Sequence, residues 1–261
     1  MTRTAKTNLV VFLIAALAAG GAWAWTARNN TDGIGNPADE QGMGTTQPPV
    51  VVEEENEPTE ETPVLNQDRR VVLSVAFTTQ APTANWSDPR QQDGCEEASI
   101  LMAWNWVNGK TSINAQEAER EIIAMSEYEL EHYGNYYDLN AQYTVKLMKD
   151  YFNYDKVSYQ LEVTAEDIKN ALRAGKLVIV PANGKRLNNP NFSSGGPLTH
   201  MLVVKGFDED KQQFITNDPG TRNGNGYVYS YSTLLNAMVN YPSGYHEDQT
   251  GQPNAMIVVE R

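Results

Sequence analysis

One cysteine and three histidines hold most of the reactive chemistry in this 261-residue chain. Cys95 lies in Gly94-Cys95-Glu96-Glu97-Ala98-Ser99, where a glycine permits a tight turn and the following residues open a helix. A thiol at a helix N-terminus meets unpaired N–H groups and the positive end of the helix dipole, and both favour thiolate. Glu96 and Glu97 act in the opposite sense, because their charge disfavours a second anion beside them. The thiolate then depends on a cationic partner, and an imidazolium is the obvious one. His200 sits in Thr199-His200-Met201-Leu202-Val203-Val204, a strand pattern that puts it on the face of Leu198, Leu202 and Val204. A strand is a rigid mount for a base. His132 falls in a tyrosine-rich stretch and His246 in a polar loop near the C-terminus. Beyond the next strand comes Thr216-Asn217-Asp218-Pro219-Gly220. Either Asn217 or Asp218 could sit beside His200 and fix its tautomer, although the same residues also make a turn.

The elements that must position these groups can be read from periodicity. Val71 to Phe77 reads as a strand and Asn85 to Gly94 as a polar loop. A helix runs from Cys95 to Val107, with Ala98, Leu101 and Met102 at helical spacing. Asn114 with Glu117 resembles a capping box for a helix carrying Ala118, Ile122 and Met125. Ala141, Val145, Met148 and Phe152 mark a third helix. Thr164 with Asp167 opens a fourth, which stops at Gly175. After that the period changes. Leu177–Pro181, Leu198–Phe207, Gln212–Thr216, Tyr227–Tyr231 and Ala255–Val259 read as strands, with a short helix over Thr233–Val239. Helices first and a mainly antiparallel sheet after them predict an α+β fold. Asp208 and Asp210 fit a hairpin turn rather than a cation loop.

Composition narrows the class of function. The formal charge of −13 argues against a nucleic-acid partner, which needs clustered Lys and Arg. Ten acidic residues and no basic one lie between Asp32 and Asp68, so the remainder is close to neutral. A single cysteine excludes a disulfide framework and a Cys-rich zinc site, and nothing calls for a cofactor or a metal. Taken alone, that cysteine fits a small buried hydrophobe better than a nucleophile.

Arg3 and Lys6 precede an apolar run from Leu9 to Trp25, with Ala22 and Ala24 at A-x-A spacing. Residues 1–28 therefore read as a signal peptide or an N-terminal membrane anchor, which puts the remainder outside the cytoplasm. An uncleaved segment would hold the chain at the membrane. Residues 29–69, acidic and containing five prolines, read as a linker, and 70–261 as the folded domain, expected to be a monomer.

Four segments together resemble the C39-like peptidase family, relatives of the double-glycine leader peptidases with a papain-like fold. They are Phe77-Thr78-Thr79-Gln80-Ala81-Pro82, Asp93 to Ser99, His200 to Phe207, and Asn217-Asp218-Pro219. The resemblance spans roughly Val71 to Val259. It implies N-terminal helices packed on the sheet and a peptide or protein substrate. It further implies Cys95 as nucleophile, His200 as base and then acid, Asp218 as the residue orienting His200, and Gln80 as the donor to the oxyanion. Gln91 and Gln92 are rivals for that last role, being nearer Cys95 in sequence. Many members carry glycine where this chain has Glu96. No ATPase or transporter portion follows, so processing coupled to export is not implied. The order Cys, His, polar residue is shared with cell-wall amidases of NlpC/P60 type. A non-catalytic, surface-displayed module on the same fold is the alternative from a different class. The tyrosines between Tyr128 and Tyr143 suit either a substrate groove or simple packing.

Overall fold

Capping chemistry sets where the helices begin. The computed structural model describes residues 69–261, so the expectations for the apolar segment and most of the acidic linker lie outside the described residues. Asp88 caps the short α1 (Pro89–Gln92), a helical turn inside the expected loop. Helix α2 (Cys95–Val107) follows at once and is buried on nearly every side, with Glu96, Glu97, Ser99 and Asn105 buried among its apolar residues. Asn114 caps α3 (Ala115–Tyr133) by accepting the N–H groups of Gln116 and Glu117, and Gly134 ends it with φ of 87°. Asn140 caps α4 (Ala141–Phe152). Thr164 and Asp167 form the full reciprocal box at the start of α5 (Ala165–Arg173).

Among the described residues seven strands make one sheet in which every pairing is antiparallel. They are β1 (Arg70–Val72), β2 (Val157–Leu161), β3 (Leu177–Ala182), β4 (His200–Asp208), β5 (Gln213–Asn217), β6 (Asn225–Ser230) and β7 (Ala255–Val259). The order is β2-β7-β3-β4-β5-β6, with β1 paired to the far half of β4. Helix α6 (Tyr231–Ala237) follows β6. The expected α+β architecture is what the chain adopts. Among the described residues no helix is long and apolar enough to cross a membrane.

Alternation splits the core in two. Ile179, Met201, Val203 and Ile257 meet residues of α2, α3 and α4 such as Ala98, Met102, Ile122 and Met148. Val180, Leu202, Val204 and Val258 meet Ile168 and Leu172 of α5 and Leu234 of α6. Burying whole aliphatic side chains in this way contributes about 1.5–3 kcal/mol each.

The first strand is shorter than expected and covers Arg70 to Val72 only. It lies so close to β4 that a Cβ on Gly206 would fall 2.3 Å from the Val71 carbonyl oxygen, so glycine is required there. Strand β2 is an edge strand that the sequence did not announce, since only Val157 of its five residues is buried. The Asp208 region is the anticipated turn: Asp208 accepts the Lys211 N–H, and Asp210 pairs with Arg69.

Candidate active site

Gly94 matters through close approach rather than an unusual backbone angle. A Cβ there would lie 2.8 Å from the Arg90 carbonyl oxygen and 3.1 Å from Ile122 Cγ2. Only glycine lets α1 run straight into α2 against α3, and this places Cys95 as the first residue of α2. Ser99, one turn on, donates to the Met201 carbonyl at 3.3 Å and ties α2 to β4.

Cys95 is buried, at 4 % exposure, and its thiol donates to Glu96 Oε2 at 3.0 Å. Burial pushes the thiol well above its usual range, and Glu96, Asp138 and Glu97 add to the effect. The expected imidazolium is therefore not the thiol's hydrogen-bond partner here; a carboxyl group is. Glu96 itself is pushed up to about 8 and Glu97 to about 7, mainly by burial. Glu129 of α3 is pushed up to about 11 by burial and then by Glu97, and its carboxyl oxygens lack a hydrogen-bond partner among the described residues.

His200 opens β4, opposite Ala182 of β3, and its side chain is 1 % exposed. Its Nε2 lies 2.8 Å from Asp218 Oδ1, just beyond the end of β5. The other oxygen of Asp218 accepts the Tyr229 hydroxyl at 2.6 Å and the Asn189 amide at 3.4 Å, while Oδ1 also takes the Gly220 N–H at 3.0 Å. Burial alone would raise the Asp218 carboxyl. His200 and these donors outweigh it and hold the carboxyl below its ordinary value. Phe192 packs edge-on against the imidazole, with ring centroids 5.3 Å apart. A Cβ on Gly220 would meet both rings at 2.9 Å, so glycine is required beneath them. With Nε2 engaged by Asp218, Nδ1 is the ring nitrogen left to exchange a proton.

Asp218 rather than Asn217 reaches the histidine. Asn217 donates instead to the carbonyls of Val75 and Ala76, pinning the segment that follows β1. That pull, with the Leu73 N–H on the Lys205 carbonyl, leads the chain from β1 to Gln80 without a regular strand.

The three glutamines separate by their partners. Gln80 Nε2 donates to the carbonyls of Gln91 at 3.1 Å and Gln92 at 2.7 Å. Gln91 turns to Glu119 on α3, and Gln92 donates to the Trp86 carbonyl. Gln80 and Gln92 border the same cavity as Cys95, whereas Gln91 does not.

That cavity, of about 470 Å³, brings together Cys95, His200, Gln80, Asp93, Asp138, Thr199 and His246 under a wall of Tyr136, Tyr137 and Tyr245. A second cleft of about 990 Å³ adjoins it through Gln80, Gln92 and Pro197, and carries Phe77, Trp86 and Phe192. Tyrosines of the 128–143 stretch thus divide. Tyr136 and Tyr137 face the cavity, while Tyr128 and Tyr133 pack on each other edge-on. Sequence reasoning missed His246, Asp138 and Thr199. Asp138 accepts the Thr199 hydroxyl at 2.6 Å and lies 3.2 Å from His246 Nδ1. It also missed Tyr241, whose hydroxyl donates to Glu96 at 2.7 Å. Among the described residues no group of three or more His, Cys, Asp or Glu is placed to hold a metal ion. A buried thiol and a carboxylate-oriented imidazole on one cavity are the parts that nucleophilic catalysis uses.

The sequence profile of the Peptidase_C39 like family matches residues 72–249. Among solved structures, a candidate C39-like peptidase from Bacillus anthracis is similar at 16% identity, over 74% of this chain and 98% of that one, with a TM-score of 0.46. Xylellain, a cysteine protease from Xylella fastidiosa, is similar at 15% identity, over 74% and 85%, with a TM-score of 0.29. No curated protein matches the chain. The profile covers the Cys95 helix, the His200 strand and Asp218 on an α+β, papain-like architecture, and the chain belongs to the Peptidase_C39 like family.

Proposed function

We propose that the protein is a cysteine peptidase or amide hydrolase that acts outside the cytoplasm by thiolate acyl transfer. The observation that carries this is the sharing of one cavity by Cys95, at the start of α2, and His200, whose Nε2 is held by the buried Asp218. His200 Nδ1 takes the thiol proton, and Sγ attacks the substrate carbonyl. The imidazolium returns the proton to the leaving amine, which departs and leaves a thioester on Cys95. Water, deprotonated by His200, then releases the acid. Asp218 holds the imidazole in the tautomer this sequence needs.

An oxyanion on the attacked carbonyl would form next to the N-terminal turn of α2, whose first N–H groups have no partner within the helix. Gln80 becomes a second donor once its amide turns from the Gln92 carbonyl. The adjoining cleft, with Phe77, Trp86 and Phe192, gives an extended peptide room to run past Cys95. Export rests on the apolar stretch from Leu9 to Trp25 and the acidic stretch behind it.

A non-catalytic module is favoured by one observation, the thiol's bond to Glu96. Profiling the cleavage of a peptide library by the wild-type protein and by Cys95→Ala separates the two. The peptidase reading expects products that vanish in the variant; identical profiles would end it.

A further inference from the structure

Acidic groups crowd the buried start of α2, and one of them touches the sulfur. Glu96 is 1 % exposed and accepts the thiol on Oε2 at 3.0 Å. Its Oε1 accepts the Leu139 N–H at 3.1 Å and the Tyr241 hydroxyl at 2.7 Å. Tyr241 is fully buried, and its hydroxyl also lies 3.4 Å from the His200 carbonyl oxygen. Glu96 is thus bonded to the proposed nucleophile and linked through one hydroxyl to the strand bearing the proposed base. The charged groups acting on it are Asp138, in the segment ahead of α4 with His246 upon it, and Glu97 on α2; Glu129 of α3 feels Glu96 in turn.

We propose that Glu96 gates the ionisation of Cys95, an inference that rests on Cys95 being the nucleophile. While charged, the carboxylate accepts the thiol hydrogen and keeps the proton on Sγ. Once neutral, it is a weaker acceptor, carries no charge to oppose a thiolate, and has an O–H that can donate to the sulfur. The proton then passes from Sγ to the ring nitrogen of His200 that Asp218 leaves free, giving thiolate and imidazolium with the total charge unchanged. Glu96 is a positioning residue in this scheme, because it acts through Cys95 and touches no substrate.

Burial, then Asp138 and Glu97, push its carboxyl up to about 8, so the neutral form is available near neutral pH. The gate is open on the acid side of that value and closes as pH rises through it. A glycine after the cysteine would leave the thiol without this control.

The test is the pH profile of Cys95 alkylation by iodoacetamide, followed by mass spectrometry. Glu96→Gln keeps an acceptor for Leu139 and Tyr241 but fixes the neutral state. The variant should react about tenfold or more faster than wild type at pH 9, and within about twofold of it at pH 6. Equal rates at both pH values, or one constant ratio such as a loosened fold gives, would overturn the proposal. Tyr241→Phe covers the case in which Glu96→Gln fails to fold. It removes a donor that stabilises the charged carboxylate, so the break in the profile should move to higher pH. A break that stays in place or moves lower contradicts the gate. Alkylation needs no turnover. A chain that shows the break but cleaves no peptide keeps the gate and loses the peptidase reading. A Cys95-dependent peptidase without the break loses the gate alone.

Discussion

His200–Asp218 and His246–Asp138 are the same pair of side-chain types, yet they are built differently: both histidines and Asp138 border one cavity, whereas Asp218 does not reach it. The first rests on a strand and the residue after a strand, with side chains 1 % and 0 % exposed. Tyr229, Asn189 and the Gly220 N–H occupy the remaining acceptor positions of Asp218, so its geometry is fixed from several sides. The second joins two loop residues, and the His246 side chain is 35 % exposed. His246 takes φ of 51°, held there by its own N–H on Asp138 at 3.1 Å, and stacks on Tyr245. The buried pair is anchored well enough to serve as a base. The loop pair straps the 241–250 segment onto the cavity rim. Residue types alone do not separate the two roles; the rigidity of the supporting elements does.

The sharpest way to break this distinction is to remove each imidazole. His200→Ala should lower peptide cleavage by about a thousandfold or more, and His246→Ala by no more than about threefold in kcat. Steady-state kinetics on a cleaved peptide decide it, and comparable losses would erase the difference between the pairs. Exchanging each carboxylate comes next. Asp218→Asn should cost about a hundredfold or more in kcat by favouring the wrong tautomer. Asp138→Asn should cost under about tenfold in kcat, with its main effect on thermal unfolding, because Thr199 and His246 lose a charged acceptor.

Tyr229→Phe is the mildest probe. It removes one donor to Asp218 and should cost about 0.5–3 kcal/mol at neutral pH by denaturant unfolding. The sign with pH follows from the held-down carboxyl. Asp218 stabilises the fold above its unfolded value near 4, and that stability is lost as pH falls through the lower folded value. With Tyr229 gone the folded value rises, so the acid limb of the stability curve should move to higher pH. An unmoved limb would mean that Tyr229 merely fills space.

The sequence made the first pair legible and left the second hidden, for physical reasons. Alternation around His200 and a cluster of apolar strands marked a buried sheet; the residues after Thr216 left Asn217 and Asp218 open, and only the family resemblance singled out Asp218. The helix at Cys95 followed from its periodicity. Asp138 and His246 are 108 residues apart on segments without periodicity, and only the packing of both against Thr199 unites them. Strand β2 escaped notice for a related reason, since Ser158 to Leu161 are exposed and show no alternation. Leu73 to Phe77 misled in the opposite sense. Their apolar run suggests a strand, but the Asn217 side chain takes the Val75 and Ala76 carbonyls and the segment leaves the sheet. The nearest neighbour of the thiol was the least predictable feature. Glu96 was expected to oppose thiolate formation by charge, and it does so by direct contact with the sulfur.

The coupling of Cys95 to His200 is the central claim, and its most direct test is the rate of Cys95 alkylation at pH 6 to 7 in wild type and His200→Ala. Loss of the imidazole that accepts the thiol proton should slow the reaction by about tenfold or more while the fold persists by circular dichroism. Equal rates in two folded proteins would contradict the account.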